Sequence, residues 1–326
     1  MKAIAEGTGN RLDWSAIPAA MLAEPAPDLS ALADDDGAAT FWEVLNALSP
    51  GRFAVGDVQD HSLILLPAAD QTAAATADGV LRIEVGPATP RPRFGSDETL
   101  LRLPVRMIAE PRVQPLAILP RGGGLTASAA GTALTSFTPA ASREVSFANG
   151  TATFEVDFFA PPAAPAALTV DGTFEITFIP GRRTFVFEPT DAGQSRTVDG
   201  LTVRFEDLKQ TADGVTASAA VLYDADGGGL AFESYRTWRY DAAVRLRTAN
   251  GTRLEPTVPP RIVSEGAAAI AVKAGFAPAL DERAAMRVEI IAPAAPETAA
   301  VRWKNLPVEA VPPPLDANPK PSEKAP

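Results

Sequence analysis

The chain has 326 residues, a formal net charge of -11, 46% hydrophobic and 21% charged residues. That length exceeds what one hydrophobic core usually serves and points to about two domains, while the composition excludes wholesale disorder. With no cysteine there can be no disulfide, thiolate zinc or cysteine nucleophile, and the single histidine, His61, leaves no second imidazole for a histidine-rich metal site.

The charge is unevenly placed. Residues 1–78 carry 3 basic and 12 acidic side chains, a balance of -9 that leaves only -2 for the remainder. An acidic end repels phosphate backbones and anionic bilayers, so neither nucleic acid nor a membrane surface is an expected partner. No apolar window is long enough to span a bilayer, and the first ten residues (MKAIAEGTGN) lack the apolar stretch of a signal peptide. Read literally, this start describes a cytoplasmic chain.

Residues 1–12 read as a flexible start, and only one segment near the start reads as a helix, residues 40–48 (TFWEVLNAL). There Phe41, Val44, Leu45 and Leu48 recur on a single face. Thr40 followed three residues later by Glu43 forms a capping box, and Ser49-Pro50-Gly51 ends the helix. Two β-like runs follow, 52–55 and 62–66, with Gly56-Asp57 beginning the turn between them and His61 at the start of the second. Residues 13–77 are thus expected to form a small acidic α+β unit.

From about Gly79 the hydrophobic period becomes 2. In Phe154-Glu155-Val156-Asp157-Phe158, Phe174-Glu175-Ile176-Thr177-Phe178 and Leu201-Thr202-Val203-Arg204-Phe205, bulky residues alternate with polar ones, as in antiparallel strands with one wet face. Asn149-Gly150 and Asn250-Gly251 are hairpin turns by composition, a reading preferred to that of glycosylation acceptors. The strand-rich region carries a diverged duplication: 78–83 resembles 199–204 and 153–187 resembles 269–303, at offsets of 121 and 116 residues. A mainly β chain is therefore expected, with two tandem antiparallel β-sandwich (Ig-like) domains at 78–190 and 191–310. Residues 189–196 would be a hinge between them, and 311–326 a proline-rich disordered tail.

Candidate chemistry is sparse. The run 224–229 (DADGGG) lacks the glutamate of a calcium loop, since the twelfth place is Tyr235. Asp34-Asp35-Asp36 reads as solvated acids ahead of the helix, and Glu206-Asp207 as strand neighbours pointing to opposite faces. Gly122-Gly123-Gly124 has no following Lys-Ser/Thr and reads as a loop, and Ser142 and Ser195 sit in no nucleophile elbow. No catalytic residue, metal site or cofactor is read from the chain. The one candidate binding surface is the cluster Phe232, Tyr235, Arg236, Trp238, Arg239 and Tyr240, where aromatic rings suit sugars or protein side chains and arginines direct hydrogen bonds. Core packing of one strand is the plainer account of the same residues.

The stretch Ala39-Thr40-Phe41-Trp42-Glu43-Val44-Leu45-Asn46-Ala47-Leu48, followed by Leu63-Ile64-Leu65-Leu66, resembles the helix and returning strand of the short N-terminal domain shared by secretins and TonB-dependent receptors. Residues 79–120 and beyond, with Leu101-Arg102-Leu103-Pro104-Val105-Arg106, are similar to uncharacterised planctomycete-type envelope proteins that join such a unit to repeated β domains. The resemblance implies a periplasmic or envelope setting, an envelope protein as partner and no transferable catalytic motif. The expectation is a non-catalytic extracytoplasmic scaffold that binds protein, with the acidic unit as a docking module. The alternative is a carbohydrate-binding protein using the aromatic cluster, and the third a hydrolase whose carboxylate pair is assembled from distant strands.

Overall fold

The computed structural model describes residues 4, 7–23, 39–50, 53–67, 73–137, 144–161, 163, 165–211, 214–223, 238–248, 251–266, 269–277 and 286–311. The fold is mainly β. It divides into two compact units, the first made of Met1–Ile176 with Ala299–Pro326 and the second of Thr177–Thr298.

Unit 1 opens with strand β1 (Arg11–Asp13) and two helices, Ala19–Ala23 and Phe41–Leu48. The longer helix buries Phe41, Leu45 and Leu48 as its spacing predicts, but Trp42 completes the buried face and Val44 is only half-buried. Thr40 Oγ1 accepts from the Glu43 amide while the Glu43 carboxylate accepts from the Thr40 amide, so each end of the box satisfies an orphan donor of the first turn. The five-residue helix carries no periodic signal and is absent from the sequence expectation. Strands β2 (Phe53–Gln59) and β3 (Ser62–Pro67) form an antiparallel hairpin, with β1 parallel to β3 on the other side. The turn is not at Gly56-Asp57. It lies at Asp60-His61, whose φ values of 47° and 59° suit the two-residue type I′ turn that matches the right-handed twist of paired strands. Gly56 and Asp57 sit inside β2 at an irregularity between Val55 and Val58.

The α+β piece is not a separate body. Phe41, Trp42, Leu45, Phe53, Val55, Leu63 and Leu65 form one buried cluster that includes Ile108 of the following β sheet. Polar ties reinforce it. Trp42 Nε1 donates to the Val80 carbonyl at 3.0 Å, and Arg106 donates to the Val55 and Gly56 carbonyls and to Asp57. The expected boundary at residue 77 therefore falls inside a continuous core.

The first sheet of the β part runs β11-β7-β5-β4, from strands β4 (Ala74–Asp78), β5 (Leu81–Val85), β7 (Thr99–Ala109) and β11 (Thr151–Phe159), with β6 (Thr89–Pro92) also on β7. The second runs β10-β8-β12-β22, from β8 (Gln114–Ala129), β10 (Val145–Ser146), β12 (Ala167–Ile179) and β22 (Glu297–Glu309), with β9 (Thr132–Ala133) on β8. Phe154 of β11 meets Phe174 of β12 at 5.7 Å between ring centroids, so the two sheets share a core. Trp303 of β22 stacks on Phe174 at 5.4 Å with ring planes 3° apart. The glycine run lies within β8, a correction to its reading as a loop. Gly124, at φ 69°, takes a conformation that a side chain would resist, and its missing Cβ leaves room for Pro120.

Unit 2 has a sheet β14-β15-β16-β20-β19, from β14 (Ser195–Val198), β15 (Leu201–Thr211), β16 (Gly214–Tyr223), β19 (Val258–Glu265) and β20 (Ala269–Phe276). A second sheet runs β13-β21-β17-β18, from β13 (Arg182–Phe187), β17 (Ala243–Arg247), β18 (Arg253–Leu254) and β21 (Arg287–Pro293). Phe187 of β13 against Phe205 of β15, at 5.4 Å, joins the two faces. The expected hinge at 189–196 lies inside this unit. It is a fixed turn, in which the Glu188 amide donates to Asp191 Oδ2, Arg196 pairs with Asp191, and the Arg196 guanidinium lies over the Phe187 ring. The chain crosses between the units elsewhere: β12 ends in unit 2, β13 follows after only Pro180-Gly181, and β22 returns to complete the second sheet of unit 1.

Candidate functional site

Of the six residues in the sequence-derived cluster, Phe232, Tyr235 and Arg236 lie outside the described residues. The other three begin a short helical turn ahead of β17. Trp238 is buried edge-on against Tyr223, with centroids 4.8 Å apart, and offers no ring face for a sugar. Arg239 is buried too, donating to the Gly266 carbonyl at 3.3 Å. Tyr240 is 40% exposed, and its hydroxyl donates to Glu265 Oε2 at 2.7 Å. Burial pushes the Tyr223 hydroxyl well above the ordinary phenol range, which keeps it a donor to the Pro293 carbonyl. Trp238 and Arg239 thus fasten the inside of unit 2, and Tyr240 lies at its surface. The segments 34–36 and 224–229 lie outside the described residues, as does Ser142. Asp207 pairs with Lys209 at 2.6 Å beside a bulge in β15.

A different aromatic and arginine cluster stands at one end of unit 1. The β6–β7 loop is pinned by several bonds: the Arg93 amide to the Glu98 carbonyl at 2.9 Å, the Glu98 amide to Ser96 Oγ at 3.0 Å, Ser96 Oγ to Glu98 Oε2 at 3.1 Å, and an Arg93–Glu98 ion pair. The Arg93 hydrogen bond, then that from Ser96, holds the Glu98 carboxyl below its usual range. The contribution of that carboxylate to the clasp is therefore kept through the ordinary carboxylate range and is lost as the pH falls below it. At its tip, Phe94 is 103% exposed, with Gly95 at φ 74° completing the turn. The Arg93 guanidinium also covers the rings of Phe137 and Phe159, 5.4 and 5.9 Å from their centroids, and those rings meet edge-on at 5.7 Å. Sequence adjacency could not find this group, because its members are 44 and 66 residues apart. The signal that could have been used was a large apolar residue inside a stretch of turn formers, Pro92-Arg93-Phe94-Gly95-Ser96-Asp97.

Unit 1 also holds a cavity of about 330 Å³ where three turns converge. Asp60 and His61 come from the β2–β3 turn, Glu110 from the β7–β8 connection, Gln114 from the start of β8, and Phe147 and Asn149 from the β10–β11 turn. Asn149-Gly150 has the positive φ values, 49° and 74°, that its composition demands. A Cβ on Gly150 would meet Val58 at 3.0 Å, so the same glycine lets two of the turns close together. Glu110 is only 3% exposed, and its Oε2 accepts from Asn10 Nδ2 at 3.0 Å and from Arg112 Nε at 2.5 Å. Two charge-assisted hydrogen bonds on one oxygen fix this carboxylate in place. Among the described residues no group of three or more metal-ligating side chains could hold an ion, and no helix is long and apolar enough to cross a membrane.

No protein-family model matches this chain, and no curated protein does. Among solved structures it is similar to a conserved domain protein from Bacillus anthracis, at 6% identity and a TM-score of 0.24, over 72% of this chain and 89% of that one.

Proposed function

We propose that this chain is a non-catalytic, protein-binding scaffold of the bacterial envelope, and that the Phe94 end of unit 1 docks an envelope protein. The observation that carries the reading is a phenylalanine wholly in water at the tip of a clasped loop. Burying such a ring is worth about 1.5–3 kcal/mol. Because the loop is already ordered, little of that is lost to immobilisation on binding. The neighbouring Arg93, Phe137 and Phe159 supply the aromatic and arginine composition of interface hot spots. Asp97 and Glu98 beside the ring, and the net charge of -11, favour an apolar pocket on a protein over an anionic bilayer. The envelope setting rests on the resemblance of residues 29–66, and of residues 79–120 and beyond, to envelope proteins.

The test is a photo-crosslinking amino acid placed at position 94 in the native host, beside capture with the wild-type chain and with Phe94→Ser. One envelope protein that crosslinks at 94 and escapes the Ser variant is the expected result. Capture that ignores the substitution, or a chain that fractionates with the cytosol, would remove the reading.

We infer further that the scaffold repeats one β unit. Supporting this, the strand orders β4-β5-β7-β11 and β14-β15-β16-β20 correspond, as do β22-β12-β8-β10 and β13-β21-β17-β18. Seven strands match one to one in chain order, and the segments similar in sequence, 153–187 and 269–303, cover β11 to β13 and β20 to β22. In this correspondence the last strand of each copy is exchanged: β13 follows β12 but lies on β21, and β22 follows β21 but lies on β12.

A further inference from the structure

We infer that the three-turn cavity of unit 1 binds a primary alkylammonium group, with Oε1 of Glu110 as its acceptor. A carboxylate removed from water is costly unless donors reach it. Glu110 receives both of its protein donors on Oε2, and Oε1 accepts no hydrogen bond among the described residues, although the side chain lines the cavity. A donor entering the cavity therefore finds a charged acceptor already held in position by Asn10 and Arg112.

The rest of the wall selects the donor. Asp60 adds a second carboxylate, which keeps the site net negative although Arg112 is paired with Glu110, and the side-chain amide of Asn149 offers a neutral acceptor. A small cation is favoured by this set and an anion is rejected. Val58, Val113 and the Phe147 ring supply apolar surface for a short aliphatic stem, and an aromatic face also attracts an ammonium group. A cavity of about 330 Å³ suits a group of that size. The shared chemistry can come from a lysine side chain of a peptide or from a free amine. The site is separate from the Phe94 loop, so its failure would leave the docking reading untouched.

The single histidine gives the full-length chain a built-in reporter, because its imidazole C–H resonances are unique and His61 lines the cavity. The experiment titrates n-butylammonium, N-acetyl-lysine methylamide and n-butanol at constant pH, following those resonances. Saturable shifts with an ammonium and none with butanol are expected, and the tighter of the two ammonium probes identifies the source. Glu110→Gln keeps an acceptor for Asn10 and Arg112 but removes the charge, and should weaken binding about tenfold or more. Asp60→Asn, which suits the same positive-φ turn position, provides a second variant that should also weaken binding if Glu110→Gln does not fold. Shifts that do not saturate, that butanol reproduces, or that neither variant weakens would overturn the proposal.

Discussion

Backbone sign decides several positions before packing does. Asn149-Gly150 and Asp199-Gly200 combine positive φ with residues that tolerate it, whereas the Asp60-His61 turn places an imidazole where glycine would sit without strain. His61→Gly should therefore stabilise the fold by up to about 1 kcal/mol, seen as a higher urea midpoint at unchanged slope. An unchanged or lower midpoint would mean that His61 makes compensating contacts. At Gly172 the argument is space. A Cβ there would come within 2.1 Å of the Trp303 ring, so Gly172→Ala should cost about 1–3 kcal/mol in thermal or chemical unfolding. The first turn was legible as a dipeptide. The requirement at Gly172 was not, since Trp303 stands 131 positions away.

At the scale of elements, sequence reading succeeded where the forces are local. The helix Phe41–Leu48 has its apolar face and both halves of its cap within nine consecutive residues; the cap and Phe41, Leu45 and Leu48 are as expected, while Trp42 rather than Val44 is fully buried. Thr40→Ala removes the oxygen that receives the Glu43 amide, and should lower stability by about 1 kcal/mol, while Thr40→Ser should restore most of it. The strand phases were legible for the same reason: Leu201, Val203 and Phe205 are fully buried while Arg204 is exposed. Reading failed where a distant partner overrides local preference. Gly56-Asp57 resembles a turn, but Ile64 of the neighbouring strand closes on Gly56 and Arg106 takes the carbonyl of Gly56 and the carboxylate of Asp57, which keeps both inside β2. The Phe94 cluster and the Glu110 cavity were hidden likewise, because each joins side chains from segments that meet only in the folded unit.

At the scale of the whole molecule, sequence order and spatial order part company at β12 and β21. A two-residue connection such as Pro180-Gly181 ordinarily closes a hairpin, yet β12 and β13 belong to different sheets. A perturbation in β22 should therefore be felt in β12 and β8, more than a hundred residues earlier, and not in β21, its immediate predecessor. Trp303 is the lever: it is 6% exposed, stacks on Phe174, and its ring fills the space over Gly172. Trp303→Ala removes that ring from the core of unit 1 at a cost of about 3–5 kcal/mol. Hydrogen exchange should then show lost protection at Ile118 of β8 and Ile176 of β12, while Val221 of β16 and Val288 of β21 keep theirs. If Val288 opens and Ile176 does not, β22 pairs locally with β21 and the exchange of last strands is wrong. If all four open together, the two units share one cooperative transition, and the mutation reports on the molecule rather than on one of its sheets.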